Sequence, residues 1–367
     1  MQSIYIWQKA DWPSFTWSNE AIVSLLGEVR NLQGQLIGRM SMFGFEDAQM
    51  QLDALTAEVI NSSRIEGIEL DADSVRSSVA HHLGLEVAGL SHADHYTDGV
   101  VQVLIDAVKT SDSPLTDEQL FHWHAALFPT GHSGIIPITV GAWRIGDEPM
   151  RVVSGAMGKE KIHYEAPPSD AVPQMMHDLL EWLNTDSDTD PMLKAAIAHL
   201  WFISVHPFDD GNGRLARTIT DRMLARADHM QQRYYSMSAE IMRQKKCYYD
   251  ILEHTQKGSL DITPWLQWFL QTVQDAIRLS LQTTDRIAQK ATFYRLHQDT
   301  PLNERQRKVL DKLWDGFEGN LTTSKWAKIN RCSQDTALRD IHDLVQKDIL
   351  CKAADSGKNT HYTLKQE

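Results

Sequence analysis

The sequence predicts a mainly α-helical chain in three parts, with one small β-hairpin in its middle and a winged-helix-like end. Three observations predict this. Apolar residues recur at helical spacing through most of the 367 residues. A single stretch rich in glycine and proline, 131–168, interrupts that pattern. Beyond Thr300-Pro301 the charge balance turns, with 12 Lys and Arg against 10 Asp and Glu, whereas the whole chain carries −13.

Taken in order, residues 18–38 and 46–66 read as amphipathic helices. Trp7, Trp12 and Trp17 read as staples of the segment before them. On the second helix Leu52, Leu55 and Val59 form an apolar stripe that continues as Ser62 and Glu66. Gly67 follows as the C′ residue that stops the helix. A carboxylate in a last turn sits badly with the helix dipole, and if buried it needs a partner. Thr116 N-caps a helix that runs through Leu120, Trp123 and Leu127 and stops at Pro129. Within 131–168, Arg151-Val152-Val153 and Ile162-His163-Tyr164 read as a hairpin. Helices resume at 169–184, 191–205, 211–229, 238–257 and 262–290. The tail reads as helices at 303–316, 323–329 and 333–347, then β-prone pieces at 349–351 and 361–364 around a turn at 356–359. The domains expected are therefore 1–92, 93–290 and 301–367.

Composition excludes several classes. With 42% hydrophobic and 23% charged residues the chain is not a disordered one. No apolar run approaches the ~18 residues of a membrane span. The start of the sequence lacks a basic region followed by an apolar one, so no secretory signal is expected. Three cysteines, Cys247, Cys332 and Cys351, show no metal-like spacing and point to a reducing, cytoplasmic setting. A charge of −13 argues against a general nucleic-acid binder. In the tail, Asp335, Asp340 and Asp343 beside Arg339 and Lys347 suit a DNA backbone poorly, so DNA binding there is not favoured over packing or dimerisation. The pairs His81/His82, His92/His95 and His122/His124 lack zinc-ligand spacing and read as helix or loop surface.

The run from His206 to Arg217 carries the chemistry. A buried helix ends near Val205, Gly211 and Gly213 permit tight turns, and a new helix points its free N–H groups at the loop. That is an anion site. Arg214 and Arg217, three apart, share a face and can fork onto phosphate oxygens. Asp210 is a hard oxygen ligand suited to Mg²⁺ between phosphates. His206 can take a proton from a hydroxyl nucleophile, and Phe208 anchors the loop. The plainer alternative is a helix–loop–helix turn with an incidental histidine and two solvated arginines.

His206-Pro207-Phe208-Asp209-Asp210-Gly211-Asn212-Gly213-Arg214-Leu215-Ala216-Arg217 is similar to the Fic motif, H-x-F-x-[D/E]-G-N-G-R-x-x-R, at every defined position. The resemblance covers about 93–275 and implies a helical Fic core that transfers AMP from ATP to a protein Ser, Thr or Tyr hydroxyl, self-modification included. It implies His206 as general base, Asp210 as the Mg²⁺ ligand, and Asn212 with the backbone of Gly211 and Gly213 on the α- and β-phosphates. Arg214 then supports the β-phosphate and Arg217 the γ-phosphate. Residues 62–67 also resemble the family's inhibitory motif, [S/T]-x-x-x-E-[G/N], which implies that Glu66, oriented by Ser62, occupies Arg217 and autoinhibits the chain. The plainer reading pairs Glu66 with Arg64 or Lys159. The hairpin stands where the family keeps a flap for its target peptide, with Val152, Val153, Ile162 and Tyr164 as docking candidates. Tyr249 is a candidate for the adenine pocket, and a homodimer would be usual for the family. Two alternatives stand beside this: a de-AMPylase or bifunctional enzyme, and a nucleotide-sensing regulator that binds DNA or protein.

Overall fold

In this computed structural model the described residues are 5–41, 45–85, 93–155, 159–314, 316–317, 319–353 and 360–365, without the side chains of 45–47. The tail turn expected at 356–359 and His92 lie outside them.

Side-chain caps start most of the early helices. Ser18 accepts from the Ala21 N–H ahead of α1 (Asn19–Met40). α2 (Phe45–Ile65) follows, and Asp71 then caps α3 (Ala72–His82) and Asp94 caps α4 (His95–Lys109). Thr116 caps α5 (Asp117–Leu127), as its sequence signal predicts. α3 and α4 stand where no helix is expected above. The buried Val100, Val101, Val103, Leu104, Ala107 and Val108 are the 3,4 pattern that marks α4.

Two hairpins fill the glycine-rich stretch: β1 (His132–Ser133) with β2 (Ile136–Pro137), and β3 (Arg151–Ser154) with β4 (Lys161–Glu165). Next come α6 (Val172–Asn184), α7 (Pro191–Val205) and α8 (Asn212–Asp228). α7 is N-capped by Asp190 and has Pro191 in its first turn. Every residue from Met192 to Val205 is buried, as expected for a helix apolar on all sides. It packs along α8, and this pair forms the centre of the core. The single helix expected over 238–257 is two, α9 (Met237–Arg243) and α10 (Lys245–Gln256). The backbone leaves the helical region at Gln244 (φ −117°, ψ 34°). α11 (Thr263–Leu296) closes the series.

The chain divides into two compact units, 1–281 and 282–367, and the division falls inside α11. The N-terminal helices belong to the first unit along with α4–α10, because α2 lies against α3, α8 and α9. Glu58 on α2 contributes to that seat. Its Oε2 accepts from the Ser236 hydroxyl (2.7 Å) and the Ser238 N–H (3.0 Å) at the start of α9, where a helix dipole favours an anion. Trp7 donates to the Glu165 carbonyl (2.9 Å) and Trp12 packs edge-on against Trp201, so both staple the N-terminal segment to the core.

The second unit contains α12 (Glu304–Trp314), α13 (Thr323–Asn330), α14 (Gln334–Gln346) and a ladder of β5 (Leu350–Lys352) with β6 (Tyr362–Leu364). Val309, Leu310, Trp326, Ile341 and Leu344 form its core. Asp340 of α14 does not face solvent. It is buried against Arg305 (2.7 Å) and Asn303 (3.1 Å). Its burial works the other way, but these partners hold its carboxyl below the usual range. Asp343 is likewise engaged by Lys347 and Gln306.

Candidate functional site

The loop between α7 and α8 is shaped by two left-handed residues, His206 (φ 51°) and Gly211 (φ 83°). Gly211 has a second constraint, since a Cβ there would lie 2.7 Å from the Phe128 ring. Asn212 is buried and its side chain is spent on the loop. The Phe208 N–H donates to Asn212 Oδ1 (3.0 Å), and Asn212 Nδ2 donates to the Phe208 carbonyl (2.8 Å). With its side chain held by Phe208, Asn212 presents its backbone N–H to an anion at the start of α8.

Two residues that the motif does not name brace this loop. Arg144, buried, donates from Nε to the His206 carbonyl (2.8 Å) and from Nη2 to the Pro167 carbonyl (2.5 Å). His124 is fully buried, not on the surface as its sequence position suggested. It stacks on Phe208 with ring centroids 4.2 Å apart. Its Nδ1 accepts from the Gly141 N–H (3.2 Å), so Nε2 is the donor to the Asp210 carbonyl (3.1 Å). Neither residue has a local sequence signal, because both act across long chain separations.

His206 is half-buried, and its Nδ1 donates to the Ile203 carbonyl (3.2 Å), which leaves the Nε2 lone pair free to accept a proton. Burial pushes its pKa down to about 4, and pushes His124 to about 4 and His199 to about 3. These three histidines bind protons more weakly folded than unfolded. Their stabilisation is therefore complete above the unfolded value of about 6.5 and is lost as pH falls toward 4. The melting temperature is expected to drop steadily between pH 6.5 and 4, and a flat profile over that window in thermal melts would contradict the assigned burial.

Glu66, Ser62 and Arg217 come together. α2 ends in a Schellman-type turn, with Gly67 at φ 80° and the Ile68 N–H donating to the Ser63 carbonyl (3.0 Å). Arg217 Nη2 donates to Glu66 Oε1 (2.8 Å) and to the Ser62 carbonyl (2.9 Å), and Nε donates to Ser62 Oγ (2.9 Å). Burial works against the charge of Arg217, but Glu66 beside it holds the guanidinium pKa above its ordinary value. Arg64 pairs instead with Glu69 (3.0 Å). The Glu66 carboxylate also sits over the first turn of α8, where a Cβ on Gly213 would lie 2.1 Å from Oε1. It thus occupies the N-terminal anion position of that helix.

Arg214 lies over the Phe128 ring (4.8 Å) and donates from Nη1 to the Tyr96 hydroxyl (2.9 Å). Arg214 Nε and Arg217 Nη1 are buried with no hydrogen-bond partner among the described residues. Such orphan donors in a native core call for an acceptor, and a polyphosphate supplies several. Beside them, a cavity of about 390 Å³ is lined by Tyr96, Phe128, His132, Ser133, Asp210 and Arg214. Asp210 accepts from the Gly211 N–H (2.6 Å) and from the Ser133 hydroxyl. Among the described residues no cluster of three or more His, Cys, Asp or Glu is arranged to hold a metal ion unaided. One carboxylate next to a cavity with room for a phosphate chain nevertheless fits Mg²⁺, which takes one or two protein carboxylates together with substrate phosphates.

The hairpin residues separate into two groups. Val153 and Ile162 are 49% and 42% exposed and Val152 is half-buried, so all three stay on or near the surface. Tyr164 is not available for docking, which corrects that expectation: it is buried and its hydroxyl donates to the Ser204 carbonyl (2.6 Å). It anchors the hairpin to the end of α7. Tyr164→Phe orphans that carbonyl and is expected to cost about 1 kcal/mol in denaturant unfolding. Tyr248 is core and bonded to His199 (3.0 Å). Tyr249 lies at the end of α2, with its hydroxyl 3.4 Å from the Ile65 carbonyl.

Residues 114–224 match the Fic/DOC family model, and 5–85 match a domain of unknown function, DUF4172. The protein adenylyltransferase Fic of Drosophila willistoni is 30% identical over 118 residues, 32% of this chain and 22% of that protein. Its Drosophila melanogaster counterpart is 27% identical over 158 residues, 40% of this chain and 30% of that protein. The chain thus spans less than a third of the length of these curated relatives. Among solved structures, a Fic family protein from Desulfovibrio desulfuricans G20 aligns over 97% of this chain and 98% of its own, at 20% identity and a TM-score of 0.55. Among the described residues no helix is long and apolar enough to cross a membrane. This chain therefore carries a Fic/DOC family domain over residues 114–224, on a mainly α-helical fold of the Fic type.

Proposed function

We propose that this chain is an autoinhibited protein adenylyltransferase, which transfers AMP from ATP to a hydroxyl side chain of a target protein and of itself. The observation that carries the reading is the Glu66–Arg217 pair at 2.8 Å, set over Gly213 at the start of α8. A carboxylate there takes both the guanidinium meant for the γ-phosphate and the helix terminus meant for the rest of the phosphate chain. ATP then binds weakly or in an unproductive pose.

With Glu66 displaced, the backbone N–H groups at the start of α8 and the free guanidinium donors of Arg214 and Arg217 hold the phosphate chain. Asp210 would hold Mg²⁺, which neutralises phosphate charge when bound. His206 Nε2 takes the proton of the incoming hydroxyl as its oxygen attacks the α-phosphorus, and pyrophosphate leaves. Val152, Val153 and Ile162 on the hairpin present a strand edge for the target peptide. Cytoplasmic placement fits the cysteine usage, and a winged-helix role suits the helix order of the second unit.

Incubation with α-³²P-ATP and Mg²⁺ tests the reading. Label retained on protein through denaturing electrophoresis supports it, and absence of label even from a Glu66→Gly variant removes it. The Glu66 carboxylate near His206 also suits a second reading, removal of AMP with Glu66 orienting a water. Loss of label from a pre-adenylylated target on adding the wild-type chain would favour that direction.

A further inference from the structure

Away from that loop, a hydroxyl, an imidazole and a carboxylate align where the hairpin meets α10. Ser154 Oγ lies 2.6 Å from His163 Nε2, and His163 Nδ1 lies 2.6 Å from Glu253 Oε2. The carboxylate only accepts, so Nδ1 carries the proton and Nε2 accepts from the serine hydroxyl.

A β-bulge makes this meeting possible. Val152 pairs with Tyr164 and Val153 with Ile162, so the register skips His163. The skip sets Ser154 opposite Lys161 instead of Ile162, and its hydroxyl reaches the unpaired His163. Bulges re-aim side chains in this way beside active sites.

Glu253 is well placed as the third member. Lys257 Nζ (2.7 Å) and Lys161 Nζ (3.7 Å) engage its Oε1, leaving Oε2 to the imidazole. Slight burial works the other way, but Lys257 and His163 hold its carboxyl down at about 2, so it stays charged. The His163–Glu253 pair by itself is explained as a tie between the hairpin and α10. The exposed Ser154 hydroxyl, which water would satisfy equally well, is not needed for that tie.

A serine within reach of a base that is itself oriented by a carboxylate is the arrangement of a nucleophile, and it is recognised by geometry whatever the fold. Two ammonium groups stand beside it, Lys161 across the ladder and Lys257 at the C-cap of α10. That fringe suits an anionic phosphorus donor better than a neutral ester.

We propose that Ser154 is a second nucleophile of this chain, activated by His163 and Glu253, which takes a phosphoryl-type group from an activated phosphorus donor of the phosphoanhydride class. Ser154 Oγ attacks phosphorus with its lone pair and its proton passes to His163 Nε2. Glu253 faces the imidazolium so formed, the new Oγ–P bond replaces the bond from phosphorus to the bridging anhydride oxygen, and that oxygen leaves with the electron pair as part of the departing phosphate.

The test treats the intact chain with a biotinylated fluorophosphonate, whose fluoride is the leaving group, and maps the adduct by peptide mass spectrometry. The expected adduct is on Ser154 and is missing in Ser154→Ala. Its rate of formation falls at least about tenfold in His163→Ala and Glu253→Gln. Thermal melts verify that these variants are folded, and His163→Gln carries the same expectation if His163→Ala melts early. His206→Ala keeps the adduct while losing transfer from ATP, so failure here and failure of the proposed transferase are told apart. No adduct on Ser154, or an adduct formed equally fast in folded His163 and Glu253 variants, overturns the proposal.

Discussion

Replacing Glu66 with glycine is expected to raise incorporation of labelled AMP into this chain by roughly 10- to 100-fold, the range of an ordinary coupling free energy between two competing occupants of one site. The substitution acts in two ways. It frees Arg217 Nη2 from the 2.8 Å ion pair, and it empties the space over Gly213 where Oε1 now sits. Arg217 is left seated by Ser62, which keeps its bonds at Nε and Nη2, so the guanidinium stays poised for phosphate. Glu66→Gln separates charge from volume. It removes the charge but still covers Gly213, and its activity is expected between wild type and Glu66→Gly. Equal incorporation by wild type and Glu66→Gly on α-³²P-ATP would refute the inhibitory role.

Adding His206→Ala to Glu66→Gly is expected to return incorporation to background, a loss of roughly 10²- to 10⁴-fold, the usual contribution of a positioned general base. The orientation of the ring supports this. Nδ1 is committed to the Ile203 carbonyl and Nε2 has a free lone pair. Burial holds the imidazole at about 4, so it is neutral and able to accept a proton throughout the neutral range. The rate of Glu66→Gly is therefore expected to be level from pH 8 down to about 5 and to fall only as pH nears 4. A midpoint near 6.5 would mean that the ring is solvated in the working state. Nucleotide binding by the double variant, followed by fluorescence of an ATP analogue, is expected to persist, because Arg214, Arg217 and the α8 terminus remain in place.

Part of this site was legible in one stretch of sequence. A histidine, an aspartate, two glycines and two arginines within twelve positions put their chemistry on a helix–loop–helix by local geometry alone. Thr116 and Gly67 marked helix ends for equally local reasons, since caps and left-handed residues act on their neighbours. Tyr164 and His124 were misread for the opposite reason. A tyrosine on a short strand looks like surface until the Ser204 carbonyl, forty positions away, is known to meet its hydroxyl. The ring of His124 finds its place only against Phe208.

By itself, then, the sequence determined the helical class, the anion-binding loop and the residue types able to move a proton and hold phosphate, because periodicity, capping and motif spacing act within a few residues. Tertiary structure alone decided which groups are occupied and which are free. The fold sets Glu66 on Arg217 across 151 positions, turns Asn212 inward onto Phe208, and leaves one nitrogen each of Arg214 and Arg217 without a partner among the described residues. Burial and pairing are properties of what packs around a group, and along the chain those neighbours lie far apart.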